Sequence, residues 1–199
     1  MKKIIHDYDG CLVNYLEGFG AYLTDFHNLE VDPQGPKDYD LSKWVGLDRE
    51  KVLNLILTFN SNQGGFFERL PAMPGAIEAV SLFREAGLVQ EVVTACHDAD
   101  STKAARLLNA ERHFGGFDGF EFVSMTGSKE VNFSRRDPSF LIEDNLKNAL
   151  LGARLGHEVF LIDTPYNQCE KDIPVTRVTG WNQITDVILT RAAAPALTP

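Results

Sequence analysis

Asp7-Tyr8-Asp9-Gly10 places two carboxylates two residues apart, directly after a short apolar run, Ile4-Ile5, that reads as an N-terminal strand. The chain breaks at Gly10, so both acids stand at the carboxyl end of that strand, where open α/β sheets take their ligands. Carboxylates so close repel one another unless a cation lies between them, and a hard divalent ion such as Mg²⁺ prefers oxygen donors of this kind. Taken alone, the tetrapeptide also describes a solvated surface turn.

Three further strand ends carry polar groups. Thr94 ends the run Glu91-Val92-Val93-Thr94 and is followed by Ala95-Cys96-His97-Asp98; Lys129 comes after the run Phe120-Glu121-Phe122-Val123 and its loop. Glu143-Asp144 ends the run beginning Phe140-Leu141-Ile142, with Asn148 one turn into the next helix. In a parallel sheet these ends face one way. Carboxylates, a hydroxyl and a lysine on one rim suit phosphoryl transfer: carboxylates hold Mg²⁺, one of them attacks phosphorus, and lysine and hydroxyl neutralise the equatorial oxygens.

The elements that position these groups alternate. After the strands above comes Val159-Phe160-Leu161-Ile162, and amphipathic helices lie between them. One repeats Ala76, Ala79, Val80 and Phe83 between Pro74 and Gly87. A second presents Ala104, Ala105, Leu107 and Leu108 and starts at Asp100 or Ser101; a third presents Leu146, Ala149, Leu150 and Ala153, with Asp144 as a candidate cap. A last helix spans about 181–191. The pattern predicts a parallel α/β sheet covered by helices on both faces. Residues 13–73 break the rhythm: two helical stretches, around Leu16–His27 and Val52–Phe59 with Asp48 as N-cap, flank a Pro/Gly/Asp-rich loop over 31–41. This predicts a helical cap over 13–73, inserted after the first strand into a core made of 1–12 and 74–191, followed by a frayed tail over 192–199.

At 199 residues and 44% hydrophobic, the chain has material for one domain with a small insertion. A formal net charge of −9 argues against a partner that is a nucleic-acid polymer, while a small phosphate ester needs only a few local donors. Cys11, Cys96 and Cys169 show neither metal-ligand nor disulfide spacing, which fits a reducing, cytoplasmic location. Neither a signal-peptide core nor a membrane-length apolar run is visible.

Over roughly 2–182 the chain resembles the haloacid dehalogenase superfamily of aspartate-nucleophile phosphatases, with a Rossmann-like core and a small helical cap. Its four motifs map in order onto Asp7 to Gly10, Thr94, Lys129 and Glu143-Asp144. Two further segments are similar to the 5′(3′)-deoxyribonucleotidases: Phe66-Phe67-Glu68-Arg69-Leu70-Pro71-Ala72-Met73-Pro74-Gly75-Ala76, and Leu161-Ile162-Asp163-Thr164-Pro165-Tyr166-Asn167. Tyr39 and Trp44 also fit that family. The resemblance implies that Asp7 attacks phosphorus to form an aspartyl-phosphate, and that Asp9 protonates the leaving oxygen and then activates water. It implies a Mg²⁺ held by Asp7, the Asp9 carbonyl and Asp144, with Glu143 and Asn148 supporting these ligands. Thr94, the Ala95 N–H and Lys129 would hold the phosphate. The implied substrate is a nucleoside monophosphate, and the resemblance also suggests a homodimer.

Two positions depart from that family. Glu143 stands where it has Asp, and Lys129 lies further ahead of the acidic pair, so Lys103, Arg135 and Arg136 remain alternatives. Each site residue also has a plain structural reading: Thr94 as the end of a buried strand, Lys129 as a loop lysine, His6 and His97 as structural histidines. Trp44, Phe19, Tyr22, Phe66 and Phe67 read mainly as cap core, one or two of them available to stack on a base. Two alternative functions stay open: a phosphatase for another small metabolite, and a non-catalytic binder of phosphate ligands. Asp9 and Gly10 argue against a dehalogenase proper.

Overall fold

A computed structural model describes residues 3–169 and 172–193. Six parallel strands form one sheet in the order β3-β2-β1-β4-β5-β6, with β1 at Lys3–His6, β2 at Val89–Cys96, β3 at Gly119–Ser124, β4 at Phe140–Glu143, β5 at Glu158–Ile162 and β6 at Thr176–Val178. Strands β2 and β3 lie to one side of β1, and β4 to β6 to the other. The chain therefore reverses direction across the sheet between β1 and β4, and the crevice at such a reversal is where α/β sheets bind ligands. The central strands are apolar on both faces because helices cover both: Ile4 packs into one cluster with Val92 and Ile142, and Ile5 into the other with Val93 and Leu141.

The insertion leaves after β1. It comprises α1 (Tyr15–His27), α2 (Ser42–Val45) and α3 (Arg49–Asn60), then two short 3-10 turns. Asn14 caps α1 by accepting from the Glu17 N–H, and Asp48 caps α3 by accepting from the Lys51 N–H. The outgoing and returning chains are tied together where they cross, Asn14 N–H to the Pro71 carbonyl and Met73 N–H to the Leu12 carbonyl. Phe19, Phe59 and Phe67 belong to the same buried cluster as Ile4 and Tyr8, so cap and sheet share one core.

The covering helices are α4 (Ala76–Glu85), α5 (Asp100–Phe114), α6 (Glu130–Ser134), α7 (Leu146–Arg154) and α8 (Trp181–Ala193). Several expectations need correcting. Strand β2 runs two residues beyond Thr94, because Ala95 and Cys96 continue the pairing onto Val123 and Ser124. Helix α7 is capped by Asn145, whose side chain accepts from the Asn148 N–H, and not by Asp144. Ala192 and Ala193 belong to α8 rather than to a tail, and 194–199 lie outside the described residues. Strand β6 and helices α2 and α6, three to five residues each, are too short to show a period in the sequence. No helix among the described residues is long and apolar enough to cross a membrane.

Candidate active site

Strand β1 ends at His6, and Asp7 continues its line by donating its N–H to the Ile142 carbonyl of β4 at 2.9 Å. One Asp7 oxygen accepts from the Tyr8 N–H at 2.7 Å; the other meets Lys129 Nζ at 2.8 Å. The same Nζ donates to Glu143 Oε1 at 2.7 Å, and Glu143 Oε2 accepts from the Asn145 N–H at 3.0 Å. Lys129 immediately precedes α6 and is 2% exposed. Burial disfavours its charge, but Asp7 and Glu143 outweigh this and hold its pKa above the usual lysine range. Of the alternatives, Arg135 and Arg136 pair with Glu121 and Glu91 instead.

Asp144 follows Glu143 off the end of β4. Its Oδ2 accepts from the Tyr166 hydroxyl at 2.7 Å, and its carbonyl accepts from Tyr39 at 2.9 Å and Asn167 at 2.8 Å. Gly10, at φ +74°, lies against it: a Cβ there would fall 2.3 Å from Asp144 Oδ2. The turn therefore needs glycine for its left-handed backbone and for this close approach. Burial and the charges of Asp7 and Glu143 raise the Asp144 pKa well above the carboxylate range; burial first and then Asp7 push Glu143 up to about 7, against Lys129. Carboxylate oxygens of Asp7, Glu143 and Asp144 all lie within 4.8 Å of one another. Three hard oxygen donors with that much charge to neutralise fit Mg²⁺. Of the three, Asp7 and Asp144 line the cavity, whereas Glu143 does not and holds Lys129 instead.

Asp9 reaches the same cavity, but its carboxylate is gripped by Arg106 of α5, one guanidinium nitrogen on each oxygen. Arg106 is 1% exposed and sits over the rings of Phe67 at 4.4 Å and Tyr8 at 5.2 Å. Burial raises the Asp9 pKa while Arg106 opposes that shift.

The cavity above these groups holds about 300 Å³. Ala95 and Asn148 line it as well as Asp7, Asp9, Lys129 and Asp144; Thr94 does not. Thr94 is fully buried within β2, and its hydroxyl has no hydrogen-bond partner. The cap wall comes from Tyr15, Leu16, Leu41 and Ile56, with Asn60 and Asp38 as its polar members. Tyr15 donates to Asn60 Oδ1 at 2.9 Å. Asp38 faces Lys43 with one oxygen, and its other oxygen is buried without a partner.

Of the cap aromatics singled out from the sequence, Tyr39 lines this cavity, whereas Trp44, Phe19, Tyr22, Phe66 and Phe67 do not. Sequence reasoning missed Tyr15, which opens α1 and reads there as core, and Arg106, which reads as one of several helix-surface cations. His6 is buried against Gln90 at 3.2 Å, and burial lowers its pKa to about 3; His97 caps its own loop by accepting from the Ala99 N–H.

No family model matches the sequence. The chain is 25% identical over 183 residues to a Bacillus subtilis (strain 168) protein named "Putative nucleotidase YqfW", covering 91% of this chain and 90% of that one. Among solved structures, it superposes on the L-2-haloacid dehalogenase of Xanthobacter autotrophicus with a TM-score of 0.62 at 13% identity, over 98% of this chain and 100% of the other. A haloacid dehalogenase-like hydrolase from Streptococcus pneumoniae gives 0.62 at 14% identity over 94% and 98%. The D,D-heptose 1,7-bisphosphate phosphatase of Burkholderia thailandensis gives 0.58 at 14% over 96% and 99%. With its six parallel strands, its acids at the ends of β1 and β4, and these neighbours, the chain has the fold of the haloacid dehalogenase superfamily.

Proposed function

We propose that this protein is a Mg²⁺-dependent phosphomonoester hydrolase acting on nucleoside monophosphates. Asp7 is the nucleophile. Among the described residues that line the cavity, it is the carboxylate that meets a lysine with one oxygen and a backbone N–H with the other, and these two contacts fix it at the floor. Its attack on phosphorus forms an aspartyl-phosphate and expels the ester oxygen, which takes a proton from Asp9; water, deprotonated by Asp9, then releases phosphate. Lys129 and the Ala95 N–H hold the phosphoryl oxygens, and Thr94 supports this corner of β2 from behind. Asp7, the Asp9 carbonyl and Asp144 would hold Mg²⁺, which supplies charge neutralisation on the phosphoryl group.

The observation that carries the substrate reading is the charge of the cavity wall. Among the described residues, Lys129 is the cation that lines it, and Asp7 and Glu143 already engage that cation. Beyond the phosphoryl site the wall is apolar or hydrogen-bonding, and Asp38 adds a carboxylate with a free oxygen. This favours a leaving group that is uncharged, partly flat and rich in donors, such as a nucleoside, over one bearing a second phosphate or a carboxylate. The name of the Bacillus subtilis relative points the same way.

The experiment is phosphate release across mononucleotides, sugar bisphosphates and phosphorylated acids with Mg²⁺, using Asp7→Asn as the blank. Release from nucleoside monophosphates above the others supports the reading. Preference for a bisphosphate or an acid transfers the protein to other small metabolites. No release above the blank from any ester, with a phosphate mimic still bound, makes it a non-catalytic binder.

A further inference from the structure

Among the described residues, Arg106 is the largest fully buried side chain, and nothing in the reaction as described above requires it. A buried guanidinium is costly unless it is paired, and its partner here is the carboxylate of Asp9, 97 residues earlier in the chain. The arrangement is built. Two nitrogens take the two Asp9 oxygens, which fixes the plane of the carboxylate as a single donor could not. The guanidinium lies over the ring of Phe67 in the returning cap segment and over that of Tyr8, between the two site acids. Helix α5 is itself pinned: Asn109, one turn after Arg106, accepts from the Tyr8 hydroxyl at 2.6 Å and donates to the Glu68 and Leu70 carbonyls at 3.1 and 3.0 Å. The Asp9 side chain keeps 26% exposure and lines the cavity, while Arg106 does not. Arg106 therefore takes one lone pair of each Asp9 oxygen, and the remaining lone pairs on the cavity-lining carboxylate are those left for proton transfer.

We propose that Arg106 is a positioning residue for Asp9, holding its carboxylate in the one orientation from which it serves both proton transfers. The inference rests on the acid–base role given to Asp9 above. A guanidinium suits the task because its fork matches a carboxylate on two points and its flat face tolerates stacking between rings; an ammonium offers neither. Asp7 and the phosphoryl cradle do not touch Arg106, so its loss leaves the attack on phosphorus in place and misaligns the proton steps.

Leaving groups separate the two. A nitrophenolate departs without a proton, whereas the alkoxide of a nucleoside needs one. With Mg²⁺ present, rapid mixing of p-nitrophenyl phosphate with Arg106→Met should release about one equivalent of nitrophenol per enzyme in a burst. Slow turnover should follow, because hydrolysis of the aspartyl-phosphate still needs Asp9 as base. Turnover of a nucleoside monophosphate should fall by about 10- to 100-fold, less than the roughly 100- to 10,000-fold that general acid–base catalysis supplies because Asp9 is misaligned rather than removed, with KM changing less than about threefold. Arg106→Lys, which keeps the charge but not the fork, should show the same split less deeply, and it carries the test if Arg106→Met does not fold. Burst and turnover declining in proportion, or turnover unchanged in both variants, would overturn the proposal. Asp9→Asn run alongside keeps the two ideas apart: normal turnover there removes the role of Asp9 itself, whereas a burst without turnover there and none of the split in the arginine variants removes Arg106 alone.

Discussion

Replacing Gly10 by alanine separates a backbone cost from a catalytic one. A left-handed alanine costs about 1–2 kcal/mol wherever it sits. At Gly10 the new Cβ also meets Asp144 Oδ2 at 2.3 Å, where ordinary contact begins at 3.4 Å, so the carboxylate must retreat by 3.4 − 2.3 = 1.1 Å. Crowding of this kind adds about 1–3 kcal/mol. The sum, about 2–5 kcal/mol, lowers Tm by roughly 4–20 °C for a chain of this size. A misplacement of about 1 Å in a group that holds the reacting centre costs on the order of 100-fold in rate. The internal control is Gly87→Ala: φ is +72° there too, with no atom within 4 Å of the added Cβ. It should lose about 1–2 kcal/mol in thermal unfolding and keep its turnover. The assay is phosphate release with Mg²⁺ on both variants beside their melting curves. If Gly10→Ala turns over within about threefold of the parent, or Gly87→Ala is as impaired, the contact with Asp144 is not what glycine serves.

Two further expectations concern the surroundings of the site. Buried His6 is neutral when folded, with a pKa near 3, but takes a proton at about 6.5 when unfolded, so stability falls as pH drops through 6.5 towards 3. His6→Phe should flatten urea-derived stability by about 3 kcal/mol between pH 7 and pH 4 relative to the parent, and equal slopes would rule this out. Tyr166→Phe removes the hydroxyl that orients Asp144 and should raise the Mg²⁺ concentration for half-maximal activity by about 10-fold, read from a metal titration.

The sheet was legible because its strands carry short apolar runs, and the acids that follow or end β1 and β4, Asp7 and Glu143-Asp144, mark the rim; at β2 the sequence placed the end at Thr94, two residues early, because Ala95 and Cys96 continue the strand. Strand β6 escaped because Thr176-Arg177-Val178 is three residues with a cation at its centre. Lys129 could be named by type and order, but the choice over Arg135 and Arg136 needed the fold, since only Lys129 reaches Asp7. Arg106 was invisible for a physical reason. Helix α5 carries Lys103, Arg106 and Arg112 as any solvated face would, and what sets Arg106 apart is Asp9 and Phe67, both remote in sequence. The cap wall failed similarly: bulk favoured Phe19 and Trp44, but bulk marks the inside of the cap, while Tyr15 stands at the edge because its hydroxyl has Asn60 to bind.

The shared core of cap and sheet has a bearing on how this protein can change. An insertion joined by two short crossings looks exchangeable, and grafting another one between Val13 and Met73 would be the obvious route to a new specificity. Here Phe67 of the returning segment covers the guanidinium that grips Asp9, and Glu68 and Leu70 receive the side chain of Asn109. A graft that omits these three positions exposes a bare cation beside the reaction. The portable unit therefore ends before Phe67, and new substrates are reached more readily by rewriting the wall at Tyr15, Asp38, Leu41 and Ile56 than by swapping the whole insertion.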